Sequence, residues 1–324
     1  MNKVSKALVT GGAGFIGSHI VDELISRGIE TFVIDNLSTG SLENLSQHKG
    51  KKLHVLIGDV RDTANLLGDE QMDVVFHEAA IASVPKSVTD PMLVHDVNVN
   101  MTLDLMNYCV RKNVKRFVFA SSAAVYGVVE DKAREEFVCR PYSPYGASKL
   151  CVENYLNAYY ETYGLQSVAL RYFNVYGPRQ TINDYSGVIT VFIRNLLLGQ
   201  TPTIHGDGSQ VRDFVFVKDI VQANMLAMES ANATGTMFNV ASGSSVSIKE
   251  LLETLQKVTN TADLGYQFGP SRKGDVKFGR ASIDKIQNYL GYGAKVSPEY
   301  GLSQTVDFLK TKTKSAPLSA ANAF

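Results

Sequence analysis

The sequence predicts an α/β protein with a doubly wound parallel sheet (a Rossmann fold) and a smaller, mixed C-terminal part. Short β-branched runs alternate with amphipathic segments in the first half of the chain. These runs are almost continuously apolar, as buried parallel strands are, and a glycine-rich turn follows the first of them. The expected strands cover 6–12, 30–36, 52–60, 73–80, 116–122 and 167–174, and the expected helices include 16–28 and 100–113.

The pattern changes near residue 175, where loops and short strands surround a predicted helix at 188–199. We expect the smaller part to close over the carboxyl ends of the parallel strands, where such sheets bind ligands. The predicted division assigns 1–175, with a return segment near 213–240, to the Rossmann domain, 176–212 and 241–312 to the smaller domain, and 313–324 to a polar tail.

Composition excludes several classes of function. Lys+Arg and Asp+Glu both number 32, so the formal net charge is zero and a basic nucleic-acid surface is not expected. No run of about 18 apolar residues predicts a membrane span. The three cysteines have no C-x-x-C spacing and no secretory leader precedes them, which indicates reduced thiols and a cytoplasmic protein. The six histidines have no paired ligand spacing, so no metal site is predicted.

Three glycines between the first strand and the first helix suggest a phosphate cradle. Gly11, Gly14 and Gly17 have the spacing G-x-x-G-x-x-G, which lets a pyrophosphate approach backbone N–H groups at a helix N-terminus. Asp35 ends the second strand, 18 residues beyond Gly17. A carboxylate there binds both ribose hydroxyls of NAD and repels the 2′-phosphate of NADP. The glycines alone also fit a packed turn that binds no ligand. The order of a strand, the glycines, a helix and an acid predicts an NAD-binding site.

The segment "YSPYGASK" contains a candidate catalytic base. Ser143 and Pro144 are favoured at a helix N-cap and first position, so Tyr145 is expected in the first turn and Lys149 one turn later on the same face. We expect the ammonium, the positive helix end and an oxidised nicotinamide to lower the pKa of Tyr145. The phenolate would then take a proton from a sugar hydroxyl as hydride leaves the carbon.

A second segment, "FASSAAVYG", supports this hypothesis. Ser122 is expected at the carboxyl end of a strand, where its hydroxyl bonds the substrate oxygen beside Tyr145. One of the pair Ser121 and Ser122 is expected to serve only the turn. Tyr142 has Gly146 four residues later and therefore has no such lysine partner.

These residues carry a resemblance to a known family. The chain resembles the extended short-chain dehydrogenases/reductases, within the sugar-nucleotide epimerase/dehydratase family. The landmarks occur in family order and are "GGAGFIG", Asp35, "GDV" at 58–60, "HEAA" at 77–80, "SSAAVYG", "YGASK", "RYFNVYGPR", "GDGSQVRDFVFVKD" and "RKGD".

The resemblance implies the binding residues. The expected NAD-binding residues are Gly11, Gly14, Phe15, Ile16, Gly17, Asp35, Asn36, Ser38, Thr39, Gly40, Asp59, Val60, Ala79, Ala80, Asn98, Ser121, Tyr145, Lys149 and Tyr172. The expected substrate-binding residues are Ser83, Ser122, Tyr145, Asn174, Gly187, Val188, Arg212, Arg272, Asp275 and Gly279. Arg212 and Arg272 are assigned to the diphosphate because guanidinium groups match phosphate oxygens.

The resemblance also narrows the reaction. Dehydratases of the family usually place Asp-Glu after the active-site hydroxyl, whereas this chain has Ala123 and Ala124, which transfer no proton. The remaining expectation is C4 epimerisation of a UDP-hexose, with Ser122, Tyr145 and Lys149 as catalytic residues. Another NAD-dependent epimerase or a reductase, acting on a uronic acid or a GDP-sugar, stays open.

Small residues at the expected sugar pocket favour N-acetylated hexoses. In the family's UDP-hexose epimerases, a residue at the position of Gly279 forms the wall near the sugar C2 substituent, and a small residue admits an acetamido group. Gly187 is also small, and Ser83 is expected near the acetamido group. Gly279 is equally compatible with a simple turn.

Two departures from the family pattern indicate changes in packing. Glu78 stands where the family usually has an apolar residue, and Met101 replaces a common glycine, and neither is expected to touch the proton-transfer groups. Helices near 97–112 and 147–163 are expected to pair in a homodimer, as in relatives. Leu105, Leu150 and Tyr155 permit this, although an internal packing face has the same pattern.

Overall fold

The computed structural model describes residues 4–180, 187–271 and 278–315. Its main feature is a parallel sheet of seven strands in the order β10-β6-β5-β4-β1-β2-β3. The strands are β1 (Lys6–Thr10), β2 (Glu30–Asp35), β3 (Leu53–Ile57), β4 (Val74–His77), β5 (Arg116–Ser122), β6 (Ser167–Tyr172) and β10 (Thr236–Val240). The doubly wound parallel sheet that the sequence predicts is confirmed.

Helices cover both faces of this sheet. One face packs on α1 (Phe15–Ser26) and α8 (Val217–Glu229), and the other on α5 (Met101–Arg111) and α6 (Pro144–Tyr163). Alternate residues of each strand point to opposite faces, so Leu8 and Phe119 join the α5/α6 core while Val9 and Val118 join the α1/α8 core. Each side chain of this kind stabilises the fold by about 1.5–3 kcal/mol on full burial.

The strand register brings the functional segments to one edge. Thr10 at the end of β1 lies opposite Ile34 of β2 and His77 of β4. His77 lies opposite Phe119, and Ser122 lies opposite Tyr172. The turns that follow β1, β2, β4, β5 and β6 therefore meet at the carboxyl edge of the sheet.

A smaller group of elements lies beside that edge. It contains β7 (Asn174–Tyr176), α7 (Val188–Leu197), β8 (Thr203–His205), β9 (Val211–Phe216), β11 (Ser245–Ser247), α9 (Ile248–Thr259), β12 (Gln267–Gly269), β13 (Phe278–Gly279) and α11 (Pro298–Ser315). The strands form a mixed sheet of β11, β9, β13 and β7 and a separate pair of β12 and β8. Apolar residues of α7, α9 and α11 form the third core of the protein.

Short elements complete the described chain. They are α2 (Thr63–Leu67), α3 (Val84–Thr89), α4 (Pro91–His95), α10 (Asp284–Leu290), a π-helical turn (Asp96–Asn100) and 3-10 turns such as Ala123–Val125. Since α11 continues to Ser315, the first three positions of the expected tail are helical, and the rest lie outside the described residues. Within the ranges that the structure describes, no helix has the length and apolarity needed to cross a membrane.

Candidate active site

The turn between β1 and α1 forms a close-packed cradle of small residues. Gly14 is the N-cap of α1 and contributes no side-chain cap, so the first N–H groups of this helix point to the edge of the sheet. A Cβ on Gly17 would lie only 2.3 Å from the carbonyl oxygen of Gly11. Because that distance excludes any side chain, the turn and the helix can approach closely only with glycine. Phe15 and Ile16 open the helix and are partly buried.

Asp35 links the cradle to the end of β2. Its buried carboxylate accepts hydrogen bonds from the N–H of Ala13 at 2.9 Å and of Leu37 at 2.8 Å. The loop after β2 comes back to this carboxylate at Gly40, where a Cβ would lie 3.0 Å from Asp35 Oδ1. Three other expected NAD-binding residues form the exposed part of the loop between them, namely Asn36, Ser38 and Thr39.

The other rim of the groove comes from the ends of β3 and β4. Ala79 lies against Gly11, since a Cβ on that glycine would lie 2.8 Å from the Ala79 nitrogen. Ala80 follows it and is partly buried. Asn98, in the π-helical turn, exchanges hydrogen bonds with the backbone of Ile81 at 2.8 and 3.2 Å and fixes this segment. Just after β3, Asp59 caps a 3-10 turn that begins with the buried Val60.

This geometry fits a dinucleotide. A glycine cradle at a helix N-terminus accepts a pyrophosphate, and the aspartate one strand away matches a ribose diol. The glycine cradle, the Asp35 carboxylate and Ala79 lie together at the carboxyl edge of the sheet, and the contacts of all the candidate residues with NAD stay predictions.

The proton-transfer groups meet where α6 begins. Ser143 caps this helix by accepting a hydrogen bond from the Gly146 N–H at 3.1 Å, with Pro144 next, as the sequence predicts. Gly146 packs against the turn after β5, where a Cβ would lie 2.4 Å from the Ala124 oxygen. This close packing brings Tyr145 near enough to Ser122 for the serine hydroxyl to lower the pKa of the phenol. The Ser122 hydroxyl also accepts from the Ala124 N–H at 3.1 Å.

The pKa of Tyr145 differs from the expectation. Burial raises the pKa of the phenol, the hydrogen bond with Ser122 lowers it, and the charge of Glu78 raises it again. The sequence suggested that Lys149 and the helix end would contribute to a lower pKa. In the structure, desolvation is the largest cause and Lys149 is not among the groups that shift the pKa of Tyr145, so that expectation is not met in the protein alone.

Lys149 is a buried ammonium beneath these groups. It is 3% exposed, donates a hydrogen bond to the Ala120 carbonyl at 2.8 Å and lies 4.8 Å from the centre of the Phe119 ring. Burial lowers the pKa of Lys149 to about 8, against the opposing effect of Glu78 and Glu153. The lysine is therefore poised near neutrality at the end of β5.

The two serines of β5 have different partners. Ser121 is buried and donates a hydrogen bond to Glu153 of α6 at 2.6 Å. Glu153 in turn forms a two-pronged ion pair with Arg171 of β6. Ser122, by contrast, faces the Tyr145 phenol. This difference answers the question that the sequence left open, because it is Ser121 whose hydroxyl serves the scaffold.

The expectation that Glu78 affects packing alone is incomplete, because its charge also acts on Tyr145 and Lys149. Its carboxylate accepts a hydrogen bond from the Tyr172 hydroxyl at 2.8 Å. Burial raises the pKa of Glu78 to about 7, while Tyr172 and Lys149 lower it. The signal available in the sequence was a carboxylate in "HEAA", directly after a buried strand.

The expected substrate residues lie in the smaller group of elements. Asn174 is exposed and its amide donates to the Asp213 carbonyl at 2.9 Å, next to Arg212. Gly279 pairs with Arg212 across β13 and β9, and a Cβ there would lie 2.9 Å from Arg212 Cδ. Gly187 and Val188 begin α7, and among the described residues the atom nearest to a Cβ on the glycine is Gln180 Nε2 at 3.8 Å.

Two expected substrate residues, Arg272 and Asp275, lie outside the described residues. Ser83 caps α3 by accepting from the Lys86 N–H at 3.1 Å. Its role towards an acetamido group stays a prediction.

Fold and site together define a short-chain dehydrogenase/reductase of the extended type. A parallel sheet carries a glycine cradle after β1, an acid after β2, and a Ser-Tyr-Lys set at β5 and α6. The chain belongs to the NAD dependent epimerase/dehydratase family, whose model matches residues 7–241. It is an NAD-dependent epimerase, and its cofactor is NAD.

Known proteins of similar sequence and structure agree with this assignment. The UDP-glucose 4-epimerase of Mycolicibacterium smegmatis is 37% identical over 314 residues, which cover 95% of this chain and 100% of that protein. A UDP-N-acetylglucosamine 4-epimerase from Methanobrevibacter ruminantium M1, in complex with UDP-N-acetylmuramic acid, matches with a TM-score of 0.91 and 40% identity over 96% of this chain and 99% of its own. A Bacillus cereus UDP-glucuronic acid 4-epimerase, with UDP-glucuronic acid and NAD, matches with a TM-score of 0.87 and 31% identity over 95% and 99%.

Proposed function

We propose that the chain is a UDP-hexose 4-epimerase that interconverts UDP-GlcNAc with UDP-GalNAc and UDP-glucose with UDP-galactose. The observation that carries this proposal is the convergence of Ser122, Tyr145 and Lys149 at the carboxyl end of β5. Similar proteins named for UDP-glucose and UDP-N-acetylglucosamine support the substrate class.

The three residues have separate roles in this reaction. Bound NAD supplies the acceptor, and later the donor, of the C4 hydride. Tyr145 takes the O4 proton as phenolate and later returns it, and Ser122 donates a hydrogen bond to the same oxygen. Lys149 supplies positive charge that stabilises the phenolate. When the 4-keto sugar presents its opposite face, the returned hydride inverts C4 and NAD is not consumed.

The turn after β5 favours epimerisation over dehydration. Ala123 and Ala124 follow Ser122 directly in a 3-10 turn. Their methyl groups neither donate nor accept a proton, whereas loss of water needs an acid and a base at the sugar. The residues beside O4 thus support proton and hydride exchange at C4 alone.

The sugar nucleotide is proposed to bind between the two parts of the chain. We assign NAD to residues 1–175 with the return segment near 213–240, and the uridine diphosphate to 176–212 and 241–312. The pairing of Gly279 with Arg212 supports this division, since it places a small wall residue next to a phosphate-binding guanidinium. Arg272 and Asp275 stay predictions for the diphosphate and the ribose.

A substrate panel tests the proposal. The purified chain with NAD is incubated separately with UDP-GlcNAc, UDP-glucose, UDP-glucuronic acid and a GDP-hexose, and the anomeric signals are followed by NMR. We expect C4 epimers from the first two and no accumulation of NADH. Turnover of only the uronic acid or the GDP-sugar would replace the proposed substrate, and net NADH formation would indicate an oxidation.

The segment around the base provides its own matched control. Tyr145→Phe removes the proton acceptor, so we expect kcat to fall by about 10³-fold with NAD still bound. Tyr142→Phe changes a tyrosine of the same segment that is 75% exposed, and it should retain activity. Equal activity of the two variants would remove Tyr145 from the mechanism.

We further infer a homodimer through α5 and α6, with one correction. Leu105 is fully buried within the protomer, so it is not available to a partner. Tyr155 is 39% exposed and Leu150 is partly buried, and both remain candidates for the interface. Light scattering that gives twice the mass of 35.4 kDa would support the dimer, and a monomer mass would end it.

A further inference from the structure

Glu78 follows β4 directly and lies against the glycine cradle. Its N–H donates to the Thr10 carbonyl at 3.2 Å, and a Cβ on Gly11 would lie 3.0 Å from its carbonyl carbon. The backbone of Glu78 is therefore packed against the first residue of the turn that fits a pyrophosphate. The residue keeps partial contact with solvent at this edge of the sheet.

Two residues from other elements fix one oxygen of the Glu78 carboxylate and leave the other free. Tyr172, at the end of β6, donates its hydroxyl hydrogen to Oε1 at 2.8 Å. The fully buried Asn224 of α8 donates its amide to the Tyr172 oxygen at 2.8 Å, so the phenol hydrogen stays directed to the carboxylate. Oε2 accepts no hydrogen bond in the described chain and is not one of its fully buried unpartnered atoms, so it is open to a ligand.

The strand order places Glu78 between the cradle and the base. β4 lies between β1 and β5 in the sheet. The cradle follows β1, whereas α6 begins against the turn after β5 and carries Tyr145 in its first turn. A dinucleotide with its pyrophosphate in the cradle must cross the end of β4 to bring its nicotinamide to the sugar carbon beside Tyr145. The charge of Glu78 acts on Tyr145, which agrees with this placement.

The nicotinamide ring has a different charge in its two states. It is positive in NAD and neutral in NADH, so a carboxylate beside it binds the oxidised form more tightly. Among the residues that the structure describes, Glu78 takes part in no ion pair. A positive ring would therefore meet this carboxylate without displacing a salt bridge.

We propose that Glu78 is a cofactor-binding residue, whose carboxylate, fixed by Tyr172 and Asn224, lies beside the nicotinamide of bound NAD and favours its oxidised form. The inference depends on NAD as the cofactor and not on the identity of the sugar. It rests on the proposed function for one consequence only. A cofactor held in the oxidised form favours return of the hydride to the 4-keto sugar, so the reduced state is brief and NAD stays in the cycle.

The test is a competition between the two forms of the cofactor for the full chain. The protein is dialysed to equilibrium against equal concentrations of NAD and NADH at about pH 8, above the value of about 7 to which burial raises the pKa of Glu78. The bound cofactors are then quantified by liquid chromatography. Glu78→Gln keeps an acceptor for Tyr172 and removes the charge. The ratio of bound NAD to bound NADH should therefore fall about tenfold, which corresponds to about 30 mV in the potential of the bound cofactor.

Glu135→Gln is the matched control, because Glu135 is another buried glutamate and accepts from the Asn239 N–H on β10, away from the cradle. It should leave the ratio unchanged. Glu78→Leu covers failure of the glutamine variant to fold, since it introduces the apolar type that the family usually has at this position, and it should lower the ratio by a similar factor.

An unchanged ratio in a folded variant at position 78 overturns the proposal. Equal loss of affinity for NAD and NADH also overturns it, because Glu78 would then serve the shape of the groove and not the charge of the ring. The competition contains no sugar, so a negative substrate panel leaves its result intact.

Discussion

Arg171 and Glu153 form a buried ion pair between β6 and α6, directly below the catalytic edge of the sheet. Arg171 Nη2 lies 2.6 Å from Glu153 Oε2, and its Nε donates to Oε1 at 2.9 Å. Only 2% and 3% of the two side chains are exposed. Burial alone would lower the pKa of Arg171, but the hydrogen bonds and charge of Glu153 raise it. The pair therefore anchors the helix that carries Tyr145 and Lys149 to the sheet.

Arg171→Met should destabilise the protein strongly. It leaves the Glu153 carboxylate buried without its cation, and removal of one partner of a buried pair costs about 3–5 kcal/mol. Urea denaturation at pH 7.5, followed by circular dichroism, measures the free energy of unfolding.

The double variant Arg171→Met/Glu153→Leu tests the cause. With both charges removed, packing replaces the pair, and stability should recover above that of Arg171→Met alone. If the double variant were as unstable as the single one, shape rather than charge would explain the loss.

Gly146→Ala should slow catalysis. A Cβ at this position would lie 2.4 Å from the Ala124 oxygen and 3.0 Å from Pro141 Cβ, so the start of α6 must move away from the turn after β5. This movement separates Tyr145 from Ser122. Since a displacement of about 1 Å costs up to about 100-fold in rate, we expect kcat to fall by roughly 10- to 100-fold. Steady-state kinetics with the substrate found in the panel give the measurement.

Gly164→Ala at the other end of α6 separates geometry from stability. Gly164 has a φ of +71°, and no atom of the described chain lies within 4 Å of a Cβ there, so the variant strains the helix end without touching the site. It should lose about 1 kcal/mol of stability and retain kcat. Equal losses of kcat in both variants would show that the rate follows helix stability.

The parts of the site that follow from local chemistry were predictable from the sequence. The Ser143 cap, the cradle around Gly17 and the acid at Asp35 each depend on neighbours within one strand-turn-helix unit. Continuous apolar runs indicated buried parallel strands, and their carboxyl ends brought Ser122 beside Tyr145. Spacing along the chain was sufficient because each of these relationships is set by backbone geometry.

The parts that depend on burial by distant elements were not predictable. Glu78 is fixed by Tyr172 and Asn224, which lie 94 and 146 positions further along the chain. The rise in the Tyr145 pKa comes from desolvation, which no spacing encodes. The same reason explains why the partners of Ser121 and the burial of Leu105 required the structure.

His77 should make the protein sensitive to acid. Its Nδ1 lies 2.7 Å from Thr10 Oγ1 and its Nε2 lies 2.8 Å from Thr102 Oγ1, which bonds the Asn98 carbonyl. Burial, assisted by the charge of Lys149, lowers the pKa of His77 from 6.5 to about 3. A lowered pKa contributes stability that is present above pH 6.5 and is lost as pH falls towards 3. This single group should remove about 3 kcal/mol between pH 6.5 and 4.

Urea denaturation over this pH range measures the effect. His77→Gln keeps two hydrogen-bonding atoms but removes the imidazole. The slope of the free energy of unfolding against pH should therefore decrease by the equivalent of about one proton. His19 of α1 is the comparison, because burial lowers its pKa to about 4 and His19→Gln should remove a similar loss of stability. If the free energy of unfolding fell equally with pH in wild type and His77→Gln, His77 would not govern the loss of stability in acid.

Gly279→Tyr should discriminate between two roles of the wall beside Arg212. If position 279 limits the sugar C2 substituent, the tyrosine will raise KM for UDP-GlcNAc by about tenfold or more and spare UDP-glucose, because a change of pocket size gives modest selectivity. If instead the new side chain displaces Arg212, whose Cδ would lie 2.9 Å from a Cβ at 279, both substrates will lose affinity equally. Arg212→Leu provides the reference for that second outcome, since loss of a phosphate-binding guanidinium affects any UDP-sugar alike. Initial rates for the two substrates with each variant decide between them, and unchanged KM values for both would remove position 279 from the substrate pocket.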